Sequence, residues 1–449
     1  MKTIKITIVL ALIFVASSAI GQNITLDSSK VLAVKNNKIL KESRLKLKAS
    51  EKVKKNAFTN YFPKVSASAF AIRSSDYLLD IKTPEMNLPV YDGNPANLAN
   101  ATQFAYIPPI SIQSLDYANT VLVTAIQPLY AGGQIRNGNK LANLGEEISQ
   151  YQVNLSTDQI LATTEDYYWN LVALKEKEIT LHSYEKLLLT LQKEVQDFYD
   201  AGLINKSDLL KVKLELNKIE ANKLTLTNGT EMLKMVFCQH IGIPYNDSFQ
   251  VNDSIVSVLP PESYYVKPSL GLNNRQEYKM LNKALDAEIL QKKMAKGEFL
   301  PQLAIGVSGL YLDAYEEENK YGLAFATLSI PISDWWGGTY KLQEHTIKIN
   351  IAQNNLDEKS ELLQLQMSKA YRDLTDSYKQ IDIAKSSLKQ SLEYQKELED
   401  NYEAGITSTS DFLEARAIAQ QAKDALIDAK SQYKIKVSNY LLSVGKTTR

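Results

Sequence analysis

The chain has 449 residues, with 51 Lys and Arg against 51 Asp and Glu, one cysteine, three histidines and 25 tyrosines. So even a balance leaves no basic footprint for nucleic acid, and a single cysteine excludes a disulfide within the chain. The length would fill two or three ordinary domains.

Lys2 and Lys5 precede an apolar run from Ile6 to Val15, followed by small residues ending Ala19-Ile20-Gly21. This reads as a secretory signal peptide, residues 1–21, with the mature chain starting at Gln22. The run is too short to span a membrane, and no later stretch reaches roughly 18 apolar residues. No cysteine stands at the cleavage site to carry a lipid. Without Lys2 and Lys5 the mature chain has a net charge of −2. An exported, near-neutral chain without a spanning helix also fits an outer-membrane barrel.

The first mature element is a predicted helix from Leu26 to about Tyr61, with Val31, Val34, Leu40, Leu45, Leu47 and Val53 as its apolar positions. It ends at Tyr61-Phe62-Pro63. A strand follows, in which Val65, Ala67 and Ala69 alternate with Ser66 and Ser68. Residues 75–117, rich in Asn, Asp, Tyr and Pro, read as a long loop, and Asn119 to Gln127 as the return strand. Pro128 to Gly133 is a strand-to-helix junction, and a helix of about 65 residues then runs to Tyr199. At 1.5 Å per residue that is roughly 100 Å, a length that suits a coiled-coil tube.

Phe198 to Leu210 stops one helix and starts another. Gly202 suits a left-handed C-cap, and Ser207-Asp208 reads as an N-cap with an acid in the first turn. A return helix follows to Gly242, with Cys238 as a buried apolar residue. The Pro-containing stretch Ile243 to Asn273 then joins the two halves.

Everything after this is a second copy. A helix from about Asn274 to Gly297 ends at Phe299-Leu300-Pro301. Leu303, Ile305 and Val307 alternate with small or polar residues, as do Tyr321, Leu323 and Phe325. Only the acidic turn Asp313 to Lys320 separates these strands. Pro331 to Gly338 repeats the strand-to-helix junction. Asn401 to Leu413 repeats the turn, with Tyr402, Gly405, Ser410 and Asp411 at an offset of 203 from Tyr199, Gly202, Ser207 and Asp208. The helix-to-strand junctions are offset by 238, so the first half carries 35 extra residues, and they fall in the loop. Between each junction Pro and each tip Tyr the spacing is 71 in both halves. Two arms that end at one level need equal length, whereas loops are free to differ.

Within the second long helix, Met367, Tyr371, Leu374, Tyr378, Ile381, Leu388 and Leu392 form a heptad seam, broken by Lys385, Gln395 and Glu399. Polar breaks suit a wall with one wet side. Strands of about ten residues with one apolar and one small or polar face suit a tilted membrane strand or a half-buried soluble sheet. Four strands cannot close a barrel, and lipid forbids an open edge, so a membrane sheet requires several copies.

The duplicated tips, the paired aromatic-x-Pro and Pro…Gly-Gly junctions, and the start Asn274-Arg275-Gln276-Glu277-Tyr278 together resemble the TolC family of outer-membrane channels. The resemblance covers nearly the whole mature chain. It implies a mainly α fold with a four-strand β contribution, in which long antiparallel helical hairpins form a trimeric periplasmic α-barrel below a shared twelve-stranded transmembrane β-barrel. The divisions are 1–21 signal peptide, 22–246 first repeat (tip 199–208), 247–273 linker and 274–449 second repeat (tip 402–411). As implied by the resemblance, Asp411 and Glu414 line the channel constriction, and Asp208, Tyr402 and Thr407 make the gate hydrogen bonds. Glu414 and Thr407 depart from the family type, which has Asp and Arg there. Tyr199, Gly202, Ser207, Gly405 and Ser410 shape the tip offered to an adaptor.

Rings of Asp411 and Glu414 around a narrow axis would favour cations and raise one another's pKa. An acid in a first turn also simply complements the helix dipole. Trp335-Trp336 suits an interfacial aromatic belt or packing at the junction. His182, His240 and His345 have no metal-ligand spacing, no hydrolase or phosphate-loop motif is present, and Glu146-Glu147 and Glu316-Glu317-Glu318 read as solvated. The expectation is a non-enzymatic exit duct of a tripartite efflux or type I secretion system, needing no cofactor or metal. Its partners would be two further copies, a periplasmic adaptor, an inner-membrane pump and outer-membrane lipid. A soluble periplasmic coiled-coil scaffold is the alternative.

Overall fold

A computed structural model describes residues 23–446 apart from 115, 248, 256, 315 and 316, so the signal peptide lies outside the described residues. In chain order, β1 (Asn23–Ile24), α1 (Leu26–Asn36) and α2 (Lys38–Thr59) lead into β2 (Lys64–Arg73). Short strands β3 (Leu79–Lys82), β4 (Met86–Pro89), β5 (Phe104–Ile107) and β6 (Ser111–Ser114) precede β7 (Tyr117–Ala131). The first hairpin is α3 (Gln134–Asp200) and α4 (Lys206–Ile241). β8 (Gln250–Val251) and the single turn α5 (Pro268–Gly271) lie in the connection. Then come α6 (Gln276–Glu298), β9 (Gln302–Ala314), β10 (Glu317–Ser329), α7 (Trp335–Glu403) and α8 (Thr409–Ser443). Among the described residues no helix is long and apolar enough to cross a membrane.

The chain folds as two compact units. The helical unit comprises residues up to 51, 144–287 and 349 onward. Two of its cores are the same core twice. Tyr168, Leu171, Phe237 and Ile241 in one stand 203 positions before Tyr371, Leu374, Tyr440 and Val444 in the other. Leu171 and Leu374 are both at most 2% exposed, and each such Leu contributes about 1.5–3 kcal/mol by burial. In the heptad seam Met367, Leu374 and Ile381 are buried, whereas Leu392 is 41% exposed. The seam therefore ends about where Lys385 interrupts it.

The helix expected from Leu26 to Tyr61 is two helices. Asn37 breaks it, because its Oδ1 accepts from the Ile39 and Leu40 amides at 2.9 and 3.3 Å and so caps α2. Its Nδ2 donates to the His240 carbonyl at 2.9 Å, tying the break to the end of α4. The connection between the halves is held down rather than loose. β8 pairs in parallel with β1, Lys175 Nζ donates to Val251 O at 2.9 Å, and the Val266 amide donates to Tyr440 Oη at 2.8 Å. Tyr433 donates its hydroxyl to the Leu259 carbonyl.

The second unit, residues 52–143 and 288–348, is built on one antiparallel sheet with strand order β10-β9-β7-β2. β7 continues past Pro128, which lacks the amide a regular ladder needs, through an irregularity between Pro128 and Tyr130. The long loop holds two small ladders, β3 with β6 and β4 with β5. The acidic turn is shorter than expected, since β9 and β10 run into it as far as Ala314 and Glu317.

Each strand alternates as read, but the sheet has no single apolar face. Register places Ile305 opposite Ala326 and Val307 opposite Ala324, so the large residues of β9 face small ones of β10. Phe325 and Leu323 lie on the other face, opposite Gly306 and Ser308. A Cβ on Gly306 would come 2.4 Å from the Phe325 ring, which fills the space itself.

The Pro…Gly-Gly junctions are not geometric duplicates. Gly132 and Gly133 have φ of 59° and 78° ahead of α3, whereas Gly337 and Gly338 lie inside α7, which already begins at Trp335. Gly132 must be glycine on a second count, because a Cβ there would sit 2.1 Å from the Gly297 carbonyl oxygen. Trp335 packs at this junction, its Nε1 donating to Phe299 O at 2.9 Å, while Trp336 is 82% exposed.

Candidate functional site

Both tips close with the same backbone lock. At the first, Leu203 N donates to Phe198 O and Gly202 N to Tyr199 O, each at 2.9 Å. At the second, Ile406 N donates to Asn401 O at 2.9 Å and Gly405 N to Tyr402 O at 3.0 Å. This pattern needs a left-handed residue, and Gly202 and Gly405 supply it with φ of 73° and 72°.

The N-caps differ from the sequence reading. Ser207 and Ser410 stand inside the first turns, and the capping positions are Asn205 and Ser408. Only Ser408 caps with its side chain. Its Oγ accepts from the Asp411 amide at 3.2 Å and donates to Asp411 Oδ2 at 2.7 Å, and Thr407 Oγ1 adds a contact at 3.4 Å. The Ser408 hydroxyl holds the Asp411 carboxyl below the usual aspartate range. Thr407 is thus engaged within its own hairpin. Asp208 makes the weaker local contact, 3.6 Å to Lys211.

Behind these acids lies a stack that the sequence reading missed. The Tyr402 and Phe412 rings are nearly parallel, 4.7 Å apart, and the Arg416 guanidinium lies over the Phe412 ring at 4.2 Å. Arg416 Nη2 then donates to Glu399 Oε1 at 2.7 Å, joining α8 back to α7. The available signal was the four-residue spacing from Phe412 to Arg416, which puts both on one helix face. Phe412 and Leu413 pack with Leu188, Leu191, Leu209 and Val212, so a single apolar cluster holds the two hairpins together at their ends.

A groove of about 960 Å³ runs between the tips, and Asp208, Tyr402, Gly405 and Thr407 all line it, together with Glu399 and Arg416. Four of the predicted residues are therefore brought to one place. Asp411 and Glu414 are both exposed and share a face of α8. Tyr199, Gly202, Ser207 and Ser410 are exposed on the turns.

The remaining candidates for chemistry are structural. Cys238 is buried, and burial pushes its thiol up. His240 packs edge-on to Tyr167 with Thr164 Oγ1 at 3.0 Å, and burial pushes its pKa down. Among the described residues no group of His, Cys, Asp or Glu could hold a metal ion.

Residues 268–445 match the sequence model of a family described as outer membrane efflux protein. No curated protein matches the chain. Among solved structures, the CmeC outer membrane channel of Campylobacter jejuni is 16% identical with a TM-score of 0.73, covering 94% of this chain and 85% of that one. VceC of Vibrio cholerae is 12% identical with a TM-score of 0.73, covering 94% and 97%. The open-state MtrE channel of Neisseria gonorrhoeae is 14% identical with a TM-score of 0.72, covering 94% and 90%. At these identities the likeness establishes the fold, and the family match adds the sequence of the second half. Residues 268–445 thus carry the sequence pattern of outer membrane efflux proteins, and the chain as a whole has the fold of the solved outer-membrane channels.

Proposed function

We propose that the chain forms a trimeric outer-membrane exit duct, serving an inner-membrane pump through a periplasmic adaptor in efflux or type I secretion. The observation that carries this is the sheet: four strands of 10 to 15 residues whose outer members, β10 and β2, have no partner on one side among the described residues. Strands of that length can cross a bilayer when tilted, but lipid does not tolerate an open edge. Pairing β10 of one copy with β2 of the next removes every edge, and three copies give twelve strands. The arm at residues 75–117 would then face outside and the hairpin tips the periplasm.

On this reading Asp411 and Glu414 form carboxylate rings at the periplasmic constriction, favouring cations and slowing anions. Asp208, Tyr402 and Thr407, along one groove, would meet the neighbouring hairpin when the tips are shut, and the exposed turn residues would meet the adaptor. The channel performs no chemistry. Its direction and energy come from the pump.

Semi-native electrophoresis of detergent-extracted outer membranes, heated and unheated, tests the assembly. The expected band runs near three times the 50.4 kDa of the full chain and collapses on boiling. A monomer in the soluble periplasmic fraction would sink the proposal in favour of a scaffold.

A further inference from the structure

Large apolar side chains stand on both faces of the four-stranded sheet, but serine and threonine do not. Residues paired across a ladder share a face, so the register sorts every side chain. Val65, Ala125, Val307 and Ala324 form one row across β2, β7, β9 and β10. Ala67, Val123, Gly309 and Gly322 form the next row on the same face. Between these rows, on the opposite face, lie Ser66, Thr124 and Ser308. Each serine and threonine of the four strands falls on that second face.

The face without hydroxyl side chains also ends on a slant. Towards the arm, its first charged or amide residue is Lys320 on β10, Asp313 on β9, Asn119 on β7 and Arg73 on β2. Lys320 stands in the row of Ala69, and Arg73 lies two rows further on, so the edge climbs two rows over three strand spacings. Two rows are roughly 14 Å along a strand and three spacings roughly 14 Å across, so the edge crosses the rows at about 45°. The other end slants the same way. Gln127 of β7 ends the apolar run there, its Nε2 donating to the Tyr61 and Pro128 carbonyls at 3.1 and 2.9 Å, while Leu303 and Leu328 carry the run one row further. A soluble sheet buried on one face has no reason to end obliquely, whereas a strand tilted in a bilayer must.

We propose that the face carrying Val65, Val307 and Ala324 lies against lipid acyl chains, with its outer boundary running from Lys320 to Arg73, and that the serine and threonine face lines the interior. This rests on the reading of the sheet as one third of a shared barrel. A hydroxyl turned to hydrocarbon would lose its partner, and a water-filled interior supplies one. The strands then tilt by about 45°, within the range of membrane barrels.

Bimane labels on single introduced cysteines, in the full-length protein in liposomes, test both claims. Cys238 is buried and stays unlabelled. Labels on Ala69→Cys and Ala324→Cys should lose most of their fluorescence to nitroxide-bearing lipid and little to iodide, and labels on Ser68→Cys and Thr327→Cys the reverse. Nitroxides at two acyl positions report depth. Ala69→Cys and Ala324→Cys, two rows apart, should give equal quenching ratios. Val65→Cys, in the row of Ala324, should differ by a depth of roughly 10 Å. Lipid quenching at Ser68→Cys and Thr327→Cys, or equal ratios for Val65→Cys and Ala324→Cys, overturns the proposal. A chain that does not float with the liposomes refutes the duct and the face assignment together. A heat-sensitive oligomer in the liposomes with the quenching reversed refutes the face assignment alone.

Discussion

Tyr402 and Phe412 lie ring against ring, with centroids 4.7 Å apart and planes within 7°. The stack joins the last turn of α7 to the first turn of α8 across the tip. Phe412 is 2% exposed, so this pairing belongs to the inter-hairpin core. The same Tyr402 lines the groove proposed to meet a neighbouring copy. It therefore has an internal job, done by its ring, and an external one open to its hydroxyl.

Substitution separates the two. Phe412→Ala removes the stacking partner and should cost about 3–5 kcal/mol locally, raising single-channel open probability in planar bilayers. Tyr402→Phe keeps the ring and should raise open probability only if the hydroxyl bonds a neighbour. An unchanged Tyr402→Phe channel would remove Tyr402 from the gate.

The tip glycines give a cleaner backbone test. A Cβ on Gly405 meets nothing within 4 Å, so Gly405→Ala introduces conformational strain alone, about 1–2 kcal/mol for a left-handed alanine. Faster hydrogen exchange at the Ile406 amide, with the global melting temperature held, is the expected outcome.

Gly132 is the opposite case, with a backbone oxygen where a Cβ would go. Gly132→Ala should abolish the heat-sensitive oligomer. Gly93→Ala, also at positive φ but in open space within the arm, should leave the oligomer intact. Equal behaviour of the two variants would show that the junction is not sterically fixed.

The Asp411 carboxyl also gives a signed pH dependence. Its folded pKa is depressed, chiefly by Ser408, so the stabilisation is present above the unfolded value of about 3.9 and is lost as pH falls through the folded value. Repulsion within a three-fold ring would act in the other direction. Ser408→Ala removes the depressing hydroxyl, so reversal-potential measurements should show cation selectivity failing at higher pH in that variant than in wild type.

Much of the fold was legible because it is written twice. One offset of 203 aligns both tips and both helical cores, and equal helical arms with unequal loops already point to two long hairpins of fixed length joined to strands. The break at Asn37 was hidden, because an Asn inside an amphipathic pattern does not announce that its side chain will cap the next helix. Which strand faces match across the sheet was not legible either. Alternation fixes which residues of one strand share a side, but only register tells which sides match between β9 and β10. At the tip, the acids and glycines were visible as a motif. The Arg416 stack was hidden because Tyr402 and Phe412 come together only once the tip folds α8 back against α7.

The pair Arg73 and Tyr117 closes the β2–β7 ladder beneath the arm. Across the sheet, β9 and β10 are joined with only residues 315 and 316 between them. The sheet thus carries a long excursion on one hairpin and almost none on the other, with the ladder sealed below both. Doubling such a loop adds only about 0.6 kcal/mol of closure entropy. On the proposed function, with the arm facing outside, it is a place where sequence can drift, lengthen or be exchanged while the four-stranded sheet keeps its register. On that reading a surface epitope could be rewritten there with the sheet unchanged.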